Sequence, residues 1–163
     1  VSDDEINAVL DVCREANWHT FQLLSKNAPR LANFIFPPNV WVGVSSPPDY
    51  MFGRALTDDQ KARYMDKALS TLVRLDVKVR WMSIEPLSWA GMPAALAKHS
   101  AALTWAVVGA ASDGPRYFQP DPALLTETLR GLDRRGVPVF FKGNLRPSLS
   151  AGVVAAWRED FPE

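Results

Sequence analysis

Short, nearly unbroken apolar runs recur along the chain, and between them the apolar residues fall at helical spacing. From Asp3 to Asn17, Ile6, Val9, Leu10 and Cys13 repeat at 3.6-residue spacing behind Ser2, an N-cap residue followed by acidic residues, which predicts an amphipathic helix. His19 to Leu24 predicts a strand that stops at Ser25-Lys26-Asn27, and Pro29 to Ala32 predicts a short helix. Val40 to Ser46, closed by Pro47-Pro48, predicts a strand buried on both faces, followed by a loop carrying Tyr50, Met51, Phe52 and Arg54. Thr57 and Gln60 have capping-box spacing, and Tyr64, Ala68, Leu69, Leu72 and Val73 continue a helix behind them. Val79 to Ile84 is the third strand, Met92 to Ser100 a short helix, and Leu103 to Gly109 the fourth strand. A loop from Ala110 to Arg116 follows, then a helix from Asp121 to Arg135 ended by Gly136, then a fifth strand from Val137 to Lys142. The stretch from Ser148 to Trp157 is expected to form a last helix.

Five apolar strands separated by helical segments are the pattern of parallel βαβ units, and strands this apolar predict helices on both sheet faces. The expected fold is α/β, and an arc of a (β/α) barrel and an open doubly wound sheet both satisfy the pattern. No linker of domain-separating length appears, so residues 1–163 are read as one domain. Its first segment reads as the middle of a fold, so the chain is expected to be a fragment or a trimmed chain. An isolated arc leaves its first and last strand edges open, which predicts self-association unless something covers them.

Composition agrees with a packed domain: 47% of the 163 residues are hydrophobic and 22% are charged. Eighteen Lys and Arg balance eighteen Asp and Glu, so no global positive field argues for nucleic acid or for anionic lipid. No apolar stretch approaches eighteen residues and no secretory signal opens the chain, so the expected location is the cytoplasm. A single Cys13 excludes an internal disulfide and a multi-cysteine metal site within these residues.

In either architecture, ligands sit where parallel strands finish. Those ends carry Ser25 and Lys26, Ser45 and Ser46, Ser83 and Glu85, Ser112 and Asp113, and Lys142 and Asn144. Glu85 is the sharpest case, a carboxylate between Ile84 and Pro86 that needs a partner if buried. It is read either as a ligand-facing group or as an ion pair with Lys26 or Lys142. Lys142 suits a carboxylate or phosphate, or else snorkels at a strand exit. The loop from Gly109 to Gly114 lacks the glycines of a dinucleotide fingerprint and is better read as a tight turn. His19 and His99 are too scattered for a metal site, Cys13 reads as packing, and the tryptophans read as core filling. A serine hydrolase using Ser45 or Ser83 is disfavoured because no histidine is placed as base and no G-x-S-x-G elbow occurs.

Taken together, FQLLSKNAPRL (Phe21 to Leu31), NVWVGVS (Asn39 to Ser45), Arg54, WMSIEPL (Trp81 to Leu87), LTWAVVGAASDGPR (Leu103 to Arg116) and GVPVFFK (Gly136 to Lys142) resemble a known group. This is the phage gene-product-37/gene-product-68 family of uncharacterised radical-SAM-like proteins of phages and bacteria. The resemblance runs from the first helix to Lys142 and implies that this chain is the C-terminal portion, from the third strand onward, of a larger TIM-barrel-like (β/α) barrel, so that a partial barrel is expected ahead of the open doubly wound sheet. It implies a (β/α) barrel in which an upstream three-cysteine motif, absent here, holds a [4Fe–4S] iron–sulfur cluster that cleaves S-adenosylmethionine reductively, the strand ends of this chain lining the cofactor and substrate cavity. Ser45, Arg54, Ser83, Glu85, Pro86, Arg116 and Lys142 match the family pattern. Asn27 stands where the family has arginine, Ala110 and Ala111 replace a glycine pair, and the glutamate after that pair is gone. Ser46-Pro47-Pro48 offers no acid where the family carries one, and Gly143 and Asn144 replace glutamine and tryptophan. Strand ends and resemblance together select Lys26, Ser45, Arg54, Ser83, Glu85, Ser112, Arg116 and Lys142 as ligand- or cofactor-binding candidates. No catalytic or metal-binding residue is assigned, the chain alone is expected to hold no cofactor, and the substrate is open. The alternative is a non-catalytic binding or partner module that keeps the barrel arc without its chemistry.

Overall fold

A computed structural model describes residues 1–51 and 53–163; Phe52, expected on a loop, lies outside the described residues. The amphipathic stretches fold as α1 (Asp3–Glu15), α3 (Asp58–Arg74) and α5 (Pro122–Asp133), with the shorter α2 (Ala28–Leu31), α4 (Met92–Lys98) and α6 (Arg146–Ser150). The apolar runs form β1 (Phe21–Ser25), β2 (Val40–Ser45), β5 (Arg80–Ile84), β6 (Trp105–Val108) and β9 (Val139–Phe141). Local chemistry starts the helices as expected. Thr57 Oγ1 accepts from the Gln60 amide at 3.3 Å while Gln60 Oε1 accepts from the Thr57 amide at 2.9 Å. Ser2 and Glu5 make the same reciprocal box at the start of α1, each satisfying amides that the first turn leaves unpaired.

The five main strands make one sheet in the order β1-β2-β5-β6-β9, with every pairing parallel. That order follows the chain without the reversal that marks a doubly wound sheet at its switch point. Right-handed crossovers laid down in one direction put their helices on one face, and the packing shows this division. Val42, Val44, Met82, Ile84, Ala106, Val108, Val139 and Phe141 join one core with residues of α1 to α5. Val79, Trp81, Trp105 and Val107 form a second cluster with Trp41 and Phe140, and no helical residue enters it. The expectation of helices on both faces therefore holds for one face only. The other is covered by the aromatic side chains of the strands themselves.

Two connections expected as loops carry hairpins. β3 (Tyr50–Met51) pairs antiparallel with β4 (Arg54–Ala55), and β7 (Ala111–Asp113) with β8 (Arg116–Phe118). Gly114, at φ 58°, supplies with Pro115 the two-residue turn between β7 and β8. The expected terminal helix starts earlier and stops at Ser150; residues 151–163 instead run back toward β9. The Phe141 amide donates to the Arg158 carbonyl at 2.9 Å and the Asp160 amide to the Val139 carbonyl at 3.2 Å. One of the two open edges is thus covered by the chain's own tail, whereas β1 pairs within the sheet only with β2.

The aromatic face needs a gap in β2. Gly43 lies in register with Trp81, and a Cβ there would fall 2.3 Å from Trp81 Cε2. Gly43→Ala is expected to destabilise the fold by about 1–3 kcal/mol through overpacking, checked by urea denaturation followed on tryptophan fluorescence.

Candidate functional site

Side chains alternate across a strand, so residues 43 and 45 of β2, 81 and 83 of β5, 105 and 107 of β6, and 140 of β9 share the helix-free face. Register stacks them in rows. Gly43, Trp81 and Trp105 form one row, and Ser45, Ser83, Val107 and Phe140 form the next toward the strand ends. The Trp105 ring centroid lies 5.4 Å from those of both Trp41 and Trp81. Phe161 from the tail stacks on Trp105 at 5.7 Å and 27°. Both buried indole N–H groups are satisfied by carbonyls, Trp81 Nε1 donating to Trp41 at 3.3 Å and Trp105 Nε1 to Asp160 at 2.8 Å.

One row further, the register of Ile84, Val108 and Phe141 continues to Glu85, Gly109 and Lys142. β5 and β9 are two strand spacings apart, roughly 10 Å, and any side chain on β6 would stand between them. Gly109 has none; a Cβ there would lie 2.8 Å from Glu85 Oε1. Across this gap Lys142 Nζ reaches Glu85 Oε2 at 2.6 Å. Asn144 fixes the other carboxylate oxygen, its Nδ2 donating to Glu85 Oε1 at 3.1 Å and to the Ala110 carbonyl at 2.9 Å. Its Oδ1 accepts from the Ala110 amide at 3.1 Å. The pair caps a hollow of about 430 Å³ whose lining includes Ser83, Trp81, Trp105 and Phe161, within the size range of small-molecule sites. The Glu85 side chain is 21% exposed and that of Lys142 46%, so the pair itself adds about 1 kcal/mol of stability at most. Lys142 keeps donors for a ligand, since an ammonium has three.

The eight candidates divide. Ser83, Glu85 and Lys142 line the hollow. Ser45 sits beside Ser83 in register but is buried at 4% exposure. Lys26 goes elsewhere: the Tyr64 hydroxyl donates to its carbonyl at 3.1 Å, and it lines a separate cavity with Tyr64 and Lys67 of α3. Arg54, Ser112 and Arg116 are exposed on the two hairpins. The expected convergence of Lys26 and Ser112 with Glu85 and Lys142 fails because the chain turns at Lys26 toward α3 and extends as a hairpin at Ser112. Asn144 had a place at a strand end but no site role, and only the fold shows that it bridges Glu85 to the exit of β6.

Other chemistry lies away from the hollow. His99 Nε2 meets Asp66 of α3 at 2.7 Å and does not line the hollow, and Cys13 is buried in the core. Among the described residues no group of three His, Cys, Asp or Glu side chains is placed to hold a metal ion. No helix among them is long and apolar enough to cross a membrane.

The loop leaving β2 is pinned by Asp49, which accepts from Lys61 Nζ at 2.6 Å and from Ser88 Oγ at 3.1 Å. The Lys61 hydrogen bond holds the Asp49 carboxyl below the usual aspartate value. A carboxylate depressed in this way stabilises the folded state above its unfolded pKa, and that stability is lost as pH falls through the folded value. The Tm difference between wild type and Lys61→Met should therefore be present at neutral pH and shrink on acidification below the ordinary aspartate range. For the rim, Asn144→Ala is expected to cost about 1–3 kcal/mol by unpairing the Ala110 peptide groups, measured by thermal unfolding.

The family described as a protein of unknown function (DUF5131) matches residues 1–148. No curated protein and no solved structure matches the chain. The matched stretch holds all five strands of the main sheet together with Glu85, Lys142 and Asn144, and stops before the returning tail that carries Phe161. The chain belongs to the DUF5131 family.

Proposed function

We propose that this chain is the wall of a radical-SAM-like (β/α) barrel, and that its hollow takes S-adenosylmethionine together with the substrate. The observation that carries this reading is the Glu85–Lys142 pair set over an aromatic base at the carboxyl ends of parallel strands. A ligand with an amino-acid end matches both charges, its carboxylate meeting Lys142 and its ammonium Glu85. The flat part of such a ligand suits Phe161, the exposed ring stacked over the buried Trp105. When bound, S-adenosylmethionine supplies one-electron chemistry after reduction by an iron–sulfur cluster. The residues of this chain do not fit the cluster, since Cys13 is buried and alone.

What this chain contributes is recognition: Asn144 holds Glu85 in place, Lys142 offers its remaining donors, and the rings exclude water from the base of the hollow. A second reading, a binding module without radical chemistry, draws on the lone buried Cys13 and on Ala110 and Ala111 at the exit of β6.

Calorimetric titration of the full chain with S-adenosylmethionine is expected to show saturable binding, weakened about tenfold or more in Lys142→Ala and in Glu85→Gln, with only a small change in Tm. Unchanged affinity with a large fall in Tm would make the pair structural. With the upstream three-cysteine segment that the resemblance implies present in the polypeptide, release of 5′-deoxyadenosine after anaerobic reconstitution with iron and sulfide would eliminate the binding-module reading, whereas binding without cleavage would favour it.

A further inference from the structure

The two hairpins leave the same rim as the hollow. β3–β4 follows β2 and β7–β8 follows β6, with β5 and Glu85 between them, so their roots stand roughly 10 Å apart at ordinary strand spacing. Their exposed residues include aromatic and cationic side chains. Tyr50 is 71% exposed, Tyr117 57% and Phe118 55%. All three residues of β8 are exposed, and because successive strand residues point to opposite faces, Tyr117 and Phe118 open both faces of the ribbon. Arg54 and Arg116, and Lys26 at the neighbouring strand end, are exposed as well. Arg116 stands opposite Asp113 in the β7–β8 register, no described side chain forms an ion pair with Arg54 or Lys26, and Asp49 and Glu85 on the same rim are already neutralised by Lys61 and Lys142. A chain with zero net charge thus gathers exposed cationic side chains, interleaved with open rings, along the rim that carries its hollow.

We propose that this rim binds single-stranded nucleic acid. Phosphates pair with Arg54, Arg116 and Lys26, and unpaired bases stack on Tyr50, Tyr117 and Phe118, the combination by which strands are held without a sequence code. An acidic peptide would use the cations and leave the ring faces idle. A duplex keeps its bases stacked inside and offers the rings nothing to stack on. The hairpins flank Glu85, so a strand lying across both passes over the hollow. Strand binding at the rim does not require S-adenosylmethionine in the hollow.

The test is fluorescence anisotropy of the full chain with a labelled single-stranded oligothymidine, a duplex of equal length, and heparin as a polyanion without bases, at about 50 mM salt. The paired substitution Tyr117→Ala and Phe118→Ala is expected to weaken oligothymidine binding about tenfold or more while leaving heparin binding unchanged. Arg54→Glu with Arg116→Glu is expected to abolish both, with the circular dichroism spectrum of each variant unaltered. Absence of oligothymidine binding by the wild type, tighter binding of the duplex, equal binding by the ring variant, or binding only to phosphatidylserine vesicles would each overturn the proposal.

Discussion

A sheet whose strands are added in one direction has its helices on one side, and the rest of this molecule is a response to that constraint. The covered face is an ordinary aliphatic core of Val, Leu, Ile and Met against the helices. The uncovered face must either lose its apolar surface or fill the space with its own side chains. It fills it with Trp41, Trp81, Trp105 and Phe140, and the tail adds Phe161. Large rings suit this position because each buries much apolar area and can still place an N–H on a carbonyl, as Trp81 and Trp105 do.

Two missing side chains shape that face. Gly43 lets the Trp81 indole lie against β2, and Gly109 lets a charge on β5 meet a charge on β9 over the strand between them. Polarity therefore rises along the strands, from rings through Ser45 and Ser83 to Glu85 and Lys142. This gradient is what a ligand with an apolar body and a charged end requires. The tail enters the same design from outside the family-matched residues: it covers the edge of β9 and completes the base of the hollow with Phe161. The wall and rim of the cavity thus belong to the part shared with the family, and part of its base does not.

The local logic of the elements is legible in the residues one by one. Thr57 with Gln60 and Ser2 with Glu5 place helix starts that the fold keeps, and the apolar runs give five strands within a few residues of their ends. Glu85 stands out as a buried-edge carboxylate in need of a partner, and Lys142 is one of the two partners that its position suggests. Which lysine it takes is settled by register: Lys142 continues an inward-facing row, while the chain at Lys26 turns toward Tyr64 and Lys67. The hairpins escape a sequence reading because two- and three-residue strands are too short to show a period.

The amino-acid sequence by itself determined the alternation of helices and strands, the polar character of every strand end and the absence of a cysteine set, because these depend on neighbours in the chain. Only the tertiary structure decided that the helices share one face, that the tail returns along β9, and that Asn144 joins Glu85 to Ala110. Those features depend on strand order and on residues far apart in sequence meeting across a gap that a glycine leaves open, and no local pattern of hydrophobic and polar positions encodes which strand will lie beside which.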